Sequence, residues 1–241
     1  MQLKTDLQEK IKELQRKIAR KITYFQTGGV RPQGAIDECW IGRVLACAAD
    51  EELPVDQNGA PMLPLAQFYL PALPYVPQVL DGVKLLAVFI SQDLIGKFDD
   101  DMDGLWAIRE YSDVSELVIK ELANPRSQIR PFPLQPKFAA DDTPVWDGGG
   151  LDADAIDEIL RLEETEGLEY YDDIALEFYN CTKFGGYPSF CQSGVSFGEG
   201  YQFVFQVSSD EKAGFNVIDG GSLMFAKNPQ SSAWSLYYDF D

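Results

Sequence analysis

The most specific spacing of possible metal ligands lies near the middle of this sequence. Asp99, Asp101 and Asp103 alternate with other residues, Gly104 follows, and Glu110 comes last. This pattern matches the calcium loop of EF-hands, where three carboxylates, a glycine at the turn and a bidentate glutamate surround the ion. An EF-hand also needs a helix on each side, whereas the residues after Gly104 are aromatic and β-branched and predict a strand. The calcium site is therefore the less favoured interpretation.

The sequence contains no histidine, and this absence limits the chemistry that the protein can perform. It excludes Ser–His and Cys–His catalytic pairs and histidine-ligated zinc sites. Paired carboxylates, with or without a divalent metal, remain an alternative, but the sequence shows no positioned base, nucleophile or oxyanion donor. The glycine cluster at 148–150 lacks the lysine and the hydroxyl residue of a phosphate-binding loop. We predict a protein that is not an enzyme and has no catalytic residues, metal or cofactor.

Acidic residues outnumber basic ones by 39 to 20, which gives a net charge of −19. This charge repels the phosphates of nucleic acids and anionic membrane surfaces, so neither is expected as a partner. Long-range attraction favours a basic protein instead. The charge is unevenly distributed, because residues 1–45 carry nine Lys and Arg against five Asp and Glu, while the remainder is strongly acidic.

The acidic side chains occur in clusters, and these clusters are the predicted partner-binding residues. Their carboxylates would occupy the positions of substrate phosphates in the basic active site of a partner such as a nuclease. The predicted contacts are Asp99, Asp100, Asp101, Asp103, Asp141, Asp142, Glu163, Glu164, Glu166, Glu169, Asp172 and Asp173.

The four cysteines are Cys39, Cys47, Cys181 and Cys191, and no two of them form a C-x-x-C pair. Their spacing does not support a zinc ribbon or a thioredoxin motif, and reduced thiols in a cytoplasmic protein are the simplest interpretation. The sequence leaves open a disulfide between the regions of Cys39 and Cys191. The first residues have a polar helical pattern that does not resemble a signal peptide, and no apolar run reaches membrane-spanning length.

An amphipathic stripe begins the chain, with apolar residues at spacings of three and four: Leu7, Ile11, Leu14, Ile18 and Ile22. Such a stripe is typical of a helix whose apolar side faces a core. The glycine pair at 28–29 would end it. We therefore predict an N-terminal helix over residues 1–27 that packs on the body of the protein.

The rest of the chain alternates strand patterns with turns. Strands are predicted at 41–46, 83–90, 105–111, 201–207, 221–226 and 234–240. Helices are predicted at 114–122 and at 152–164, where Asp152 is a suitable N-cap. Because proline interrupts regular elements, residues 124–144 are predicted to be an irregular connection.

Two stretches of the sequence share a pattern. Gln67 and Gly82 are fifteen residues apart, and so are Gln206 and Gly221. Dominant strands with short intervening helices predict an α+β fold with mainly antiparallel or mixed sheets. The repeated spacing suggests two pseudo-repeated halves, 28–123 and 145–241, within a single domain over 28–241. We expect the two glutamines to hydrogen-bond backbone groups in the core. In the alternative, they line a cleft between the halves.

A resemblance to a known family is carried by both stretches. Residues 183–192 resemble the Lys-x-Gly-Gly-x-Pro-x-x-x-Gln signature of the YwqG-like family, a bacterial domain of unknown function. The strand at 201–207, followed by a Gly-containing turn and an aromatic strand at 219–225, is similar to the family's closing segment. In the first half, residues 61–67 and 82–89 resemble its Pro-Met, Leu-Ala-Gln and Gly-x-Leu-x-x-Phe elements. The family's Trp-Gly-Asp turn appears here as Val217-Ile218-Asp219. The resemblance implies a compact α+β body and no cofactor.

The favoured functional hypothesis is a non-enzymatic acidic binding protein, in its most concrete form an immunity protein that neutralises a basic toxin. One alternative is a carboxylate-dependent or metal-dependent enzyme. Another is a module that binds a peptide or small ligand in a cleft between the halves, lined by Gln67, Tyr187, Gln192 and Gln206.

Overall fold

Strands account for most of the regular structure of this protein. The computed structural model describes residues 2–96, 102–191 and 196–240. The α-helices are α1 (Gln2–Ile18) and α2 (Ala153–Glu166), short 3-10 turns lie at Leu70–Ala72, Gln78–Leu80 and Trp146–Gly148, and a π-helix spans Tyr170–Ile174. The strands are β1 (Arg20–Thr27), β2 (Trp40–Ile41), β3 (Ala46–Cys47), β4 (Leu63–Tyr69), β5 (Leu85–Ile90), β6 (Trp106–Tyr111), β7 (Val118–Ile119), β8 (Phe132–Asp142), β9 (Lys183–Gly185), β10 (Gln202–Ser208), β11 (Ser222–Lys227) and β12 (Trp234–Asp239).

Ten of these strands form one antiparallel sheet, in the order β12-β11-β10-β9-β1-β8-β2-β4-β5-β6. The predicted α+β class with two pseudo-repeated halves is therefore wrong. The two central strands, β1 and β8, lie outside both predicted halves, 28–123 and 145–241, so the halves share one sheet. The sheet has a first arm, β2-β4-β5-β6, and a second arm, β9-β10-β11-β12, on either side of this centre.

The predicted N-terminal helix over 1–27 is too long, because α1 ends at Ile18 and β1 begins at Arg20. The β-branched and aromatic run from Ile22 to Phe25 favours a strand. Ile22 pairs with Gly185 on one side and with Ala139 on the other. The apolar stripe continues through both elements because Leu14 and Ile18 face the helices, while Ile22 is buried within the sheet.

The predicted irregular connection at 124–144 is also wrong, because it contains β8, the longest strand. Two prolines made a central strand unexpected. The N–H of Gly28 donates to the carbonyl of Pro133 at 2.8 Å, so the odd-numbered residues of β8 exchange hydrogen bonds with β1. The nitrogen of Pro136 then points away from β1. Among the described residues, β2 pairs with β8 only at Phe132 and Pro133, so no strand hydrogen bond is lost at Pro136.

The sheet curls until its two outer strands approach each other. Glu110 on β6 accepts hydrogen bonds from Lys227 on β11 at 2.6 Å and from the indole of Trp234 on β12 at 2.6 Å. The curled sheet encloses the main core, which is filled by aromatic side chains. Phe205 stacks on Phe184 and on Phe225, with ring centres 5.0 and 4.5 Å apart.

The remaining predictions have mixed outcomes. The strands predicted at 83–90, 105–111, 201–207, 221–226 and 234–240 are confirmed as β5, β6, β10, β11 and β12. The helix predicted at 152–164 is confirmed as α2. The helix predicted at 114–122 is wrong, because this segment contains β7, which pairs with β3. The four cysteines are free thiols, which answers the open question of a disulfide.

Candidate functional site

Helix α2 has a well-defined beginning and end. The carboxylate of Asp152 caps it by accepting a hydrogen bond from the N–H of Ala155 at 2.7 Å. The ammonium of Lys17, 3.0 Å away, and in second place this bond lower the pKa of Asp152. Gly167 ends the helix in the left-handed conformation at φ 68°. The ends of α2 therefore follow from its sequence.

The buried side of α2 faces a separate small core. Ile159 and Leu162 pack there with Leu14 of α1 and with Tyr170 and Ile174 of the π-helix. The hydroxyl of Tyr170 donates to the carbonyl of Pro144 at 2.6 Å, and the amide of Gln15 donates to the carbonyl of Ile174 at 3.1 Å. This core fixes α2 and the segment after it on the body of the protein.

The outer side of this layer is strongly negative, and we call residues 152–177 the acidic surface. Eleven Asp and Glu residues lie in this stretch against a single basic residue, Arg161. The guanidinium of Arg161 pairs with Glu158 of the same helix at 2.5 Å, so its charge is already compensated. The acidic residues are Asp152, Asp154, Asp157, Glu158, Glu163, Glu164, Glu166, Glu169, Asp172, Asp173 and Glu177.

The structure brings only some of the predicted partner-binding residues together. Those on the acidic surface share one segment, in which Glu163 is partly buried and the others are exposed: Glu164, Glu166, Glu169, Asp172 and Asp173. Asp103 is exposed in the turn before β6, in the first arm. Asp141 is partly buried and accepts a hydrogen bond from the hydroxyl of Tyr179 at 3.0 Å. Asp99, Asp100 and Asp101 lie outside the described residues.

The prediction that Asp142 binds a partner is wrong, because its carboxylate is buried. Asp142 is 1 % exposed and forms an ion pair with Lys183, which is 2 % exposed, at 3.0 Å. The carboxylate also accepts the N–H of Tyr187 at 2.9 Å. Burial raises the pKa of Asp142 and lowers that of Lys183. Sequence alone placed this aspartate in an acidic pair, since it carries no signal of the lysine that comes 41 residues later.

The buried ion pair lies where three elements of the protein meet. Gly186 passes so close to Asp142 that an added Cβ would lie 1.9 Å from its Oδ2 atom, and its φ is +70°. The next residue, Tyr187, donates its hydroxyl proton to the carbonyl of Ile18 at the end of α1, at 2.6 Å. The pair therefore joins β8, β9 and α1 at one point.

The competing sites gain no support from the geometry. The carboxylate of Glu110, the last position of the calcium-loop pattern, is engaged by Lys227 and Trp234. Within residues 2–96, 102–191 and 196–240, no three Cys, Asp or Glu side chains are arranged to hold a metal. Gln67 and Gln206 are fully buried and bond to backbone groups, as expected, so they do not line a cleft. Gln192 lies outside the described residues.

Sequence reasoning missed the apolar side chains that are exposed on the acidic surface. Leu160 is 47 %, Tyr171 55 % and Leu176 40 % exposed. The hydroxyl of Tyr171 accepts the N–H of Trp146 at 3.0 Å, which fixes its ring. One signal was available, because Leu160 falls out of phase with the buried positions Ile159 and Leu162 of α2.

Comparisons with known proteins give a family but no activity. Across the part of the chain that the structure describes, no helix has the length and apolar character needed to cross a membrane. No curated protein matches this sequence. Residues 46–233, well over half of the chain, match the family described as a domain of unknown function, DUF1963. The chain therefore belongs to the DUF1963 family.

Proposed function

We propose that this protein is a non-enzymatic binding protein that neutralises a basic protein partner through its acidic surface. The observation that carries the proposal is the concentration of charge, since eleven carboxylates and one arginine lie within residues 152–177. In its most specific form, the partner is a bacterial toxin, such as a nuclease, and the chain is its immunity protein. The proposal includes a cytoplasmic location and membership of the YwqG-like family within the matched domain.

Electrostatics supports a basic partner in two ways. The net charge of −19 accelerates encounter with a cationic protein, because the attraction acts beyond contact distance at low ionic strength. A nuclease must hold phosphates in a basic active site, and exposed carboxylates can occupy the same positions. The attraction is also concentrated on one part of the protein, since more than half of the net charge arises from the acidic surface.

The acidic surface also offers the apolar contacts that a stable complex needs. Charge alone mainly raises the association rate, whereas buried aromatic and aliphatic anchors slow dissociation. Tyr171 is exposed and held in place by its hydrogen bond to the backbone of Trp146. A fixed aromatic ring loses little conformational entropy on binding. Tyr171 is therefore the proposed anchor of the interface.

The proposal predicts a charge effect that depends on position. The test variant carries Glu164→Gln, Glu166→Gln, Glu169→Gln and Asp172→Asn on the acidic surface. The control variant carries Asp37→Asn, Glu116→Gln, Glu199→Gln and Glu211→Gln, four exposed positions outside the acidic surface that produce the same net charge. Association with the protein encoded by the neighbouring gene is measured by stopped flow, and inhibition of that protein is measured alongside.

We expect the test variant to associate about tenfold more slowly, and the control variant to stay within about threefold of the wild type. The wild-type rate should fall steeply between about 20 and about 300 mM salt, because screening removes the attraction. Equal slowing of both variants would show that only net charge matters and would contradict the acidic surface as the site. Absence of both binding and inhibition at a large molar excess would overturn the proposed function.

A further inference from the structure

Strand β8 lies in the middle of the large sheet, but the edge that it turns away from β1 is only partly paired. The N–H of Leu134 donates to the carbonyl of Cys39 at 2.8 Å, which is the last contact with the β2 side. The carbonyl of Asp141 accepts the N–H of Glu177 at 3.2 Å, where the next segment joins. Between these two points, no strand of the described residues pairs with this edge.

Phe138 lies at the centre of this open edge. It pairs with Thr23 of β1, and the alternation set by the Gly28–Pro133 bond turns the N–H and C=O of Phe138 away from β1. Its side chain is 51 % exposed, which is unusual for a phenylalanine in a central strand. An unpaired backbone edge beside an exposed aromatic ring is the arrangement that binds an extended peptide by strand addition.

A basic groove continues from this edge. Ala140, two residues beyond Phe138, lines a shallow surface groove of about 450 Å³ together with Leu176 and residues of α1 and β1. The charged side chains that line the groove are all basic, namely Lys12, Arg16 and Lys21. All three are exposed in a chain whose net charge is −19, and Arg16 also contacts Glu9 at 3.4 Å. This local reversal of charge favours an acidic occupant.

We propose that the open edge of β8 and this groove form a second interaction surface, which binds an extended acidic segment of another protein. The segment pairs with the backbone of Phe138 and places its carboxylates beside Lys12, Arg16 and Lys21. The surface meets the acidic surface at Leu176, and its charged side chains have the opposite sign. It gives a role to the basic N-terminal helix, which the proposed neutralisation of a basic partner leaves unexplained.

A second copy of this chain does not fit the same edge. Pairing two β8 edges would place a proline, Pro136, which has no N–H, and Lys137 of each copy at the interface. Two chains of −19 would also repel each other. Pro136 and Lys137 thus protect the edge from self-association, while Phe138 stays available to a short acidic strand.

The test uses a fluorescein-labelled octapeptide of alternating valine and glutamate, and its binding to the full chain is measured by fluorescence anisotropy. The groove variant carries Lys12→Gln, Arg16→Gln and Lys21→Gln. The control variant carries Arg31→Gln, Lys84→Gln and Arg126→Gln, which are exposed basic residues outside the groove. We expect the groove variant to bind about tenfold more weakly and the control variant to bind within about twofold of the wild type. A peptide with glutamine in place of glutamate should also bind about tenfold more weakly.

Hydrogen exchange distinguishes strand addition from loose ionic attraction. Saturating peptide should slow exchange of the Phe138 amide at least about tenfold, with no such change in β12 at the end of the sheet. Equal weakening in both variants, no binding at millimolar peptide, or binding without protection of Phe138 would each overturn the proposal. None of these results depends on whether the acidic surface binds a basic partner.

Discussion

The two arms of the sheet each contain a fully buried glutamine, but the neighbours of the two glutamines differ. In the first arm, Gln67 on β4 accepts the N–H groups of Leu45 and Ala46 at 2.9 and 3.0 Å and donates to the carbonyl of Glu38 at 3.0 Å. Its partners are backbone groups. The side chain of Gln67 therefore provides hydrogen bonds that a neighbouring strand would otherwise provide, to backbone groups before and after β2.

In the second arm, Gln206 on β10 is part of a polar side-chain network. It accepts the N–H of Ser189 at 3.1 Å and donates to the carbonyl of Cys181 at 3.0 Å. It also reaches the hydroxyl of Ser208, which itself pairs with Ser222 at 2.7 Å. The second arm therefore has more ways to satisfy its polar groups if one side chain is lost.

The residues opposite the two glutamines differ even more. Trp40 of β2 lies opposite Gln67, whereas Lys183 of β9 lies opposite Gln206. The indole Nε1 atom of Trp40 is buried and has no hydrogen-bond partner within the described residues. Lys183 is paired with Asp142. The first arm therefore has a buried aromatic ring there, with the guanidinium of Arg43 4.7 Å from the ring centre, and the second arm has a buried ion pair.

Lys183→Met is expected to give the largest effect, because it leaves the buried carboxylate of Asp142 without its counter-charge. We expect a loss of about 4 kcal/mol in the free energy of unfolding, measured by urea denaturation. Trp40→Phe in the first arm should cost only about 1 kcal/mol, since the indole N–H that it removes has no partner.

The double variant Asp142→Asn/Lys183→Met tests the physical reason. The asparagine carbonyl can still accept the N–H of Tyr187 and carries no charge. We expect the double variant to recover about half of the stability lost in Lys183→Met. A double variant that is less stable than Lys183→Met would show that packing, and not charge, accounts for the loss.

Replacing the glutamines by leucine compares the two arms directly. Gln67→Leu leaves the N–H groups of Leu45 and Ala46 and the carbonyl of Glu38 unsatisfied, and we expect a loss of about 3 kcal/mol. Gln206→Leu leaves fewer backbone groups unsatisfied and should cost about 2 kcal/mol, because Ser208 and Ser222 remain paired. Urea denaturation of both variants checks the order. Equal losses would mean that the serine network contributes nothing.

Sequence patterns predicted the parts of the fold that depend on neighbouring residues. The apolar, aromatic and β-branched runs of β5, β6 and β10–β12 and the N-cap of α2 were recognised because each is a local signal. The long strand β8 was missed because Pro133 and Pro136 argue against a central strand, and only its pairing with β1 and the short β2 shows why they are tolerated. Its detection required long-range contacts.

The candidate site was predictable to a similar extent. The charge of the acidic surface could be counted from residues 163–173, but burial separates Asp142 from the other predicted contacts. That burial depends on Lys183 and Gly186, which come more than 40 residues later. The open edge at Phe138 depends on where β2 ends, and the exposure of Tyr171 depends on how the π-helix packs, so no local pattern could reveal them.

A cysteine precedes the first strand of each arm, β2 and β9, and these two thiols extend the comparison to alkaline pH. Cys39 precedes β2 in the first arm, and burial raises its pKa from the usual value of about 9 to about 12. Cys181 precedes β9 in the second arm, and burial raises its pKa to about 11. The folded protein therefore keeps both protons above pH 9, while the unfolded chain releases them. These thiols contribute stability that is complete below pH 9 and is lost as the pH rises through the folded values.

Cys39→Ala and Cys181→Ala compare the arms by the slope of unfolding free energy against pH and not by its absolute value. One retained proton gives a slope of at most about −1.4 kcal/mol per pH unit. Cys39→Ala should remove such a slope over the whole interval from about 9 to 12, and Cys181→Ala only up to about 11. Urea denaturation at pH 8, 9, 10 and 11 measures both, and tyrosine ionisation cancels between variant and wild type. Parallel curves for Cys39→Ala and the wild type would show that the first arm opens enough at high pH to hydrate this thiol.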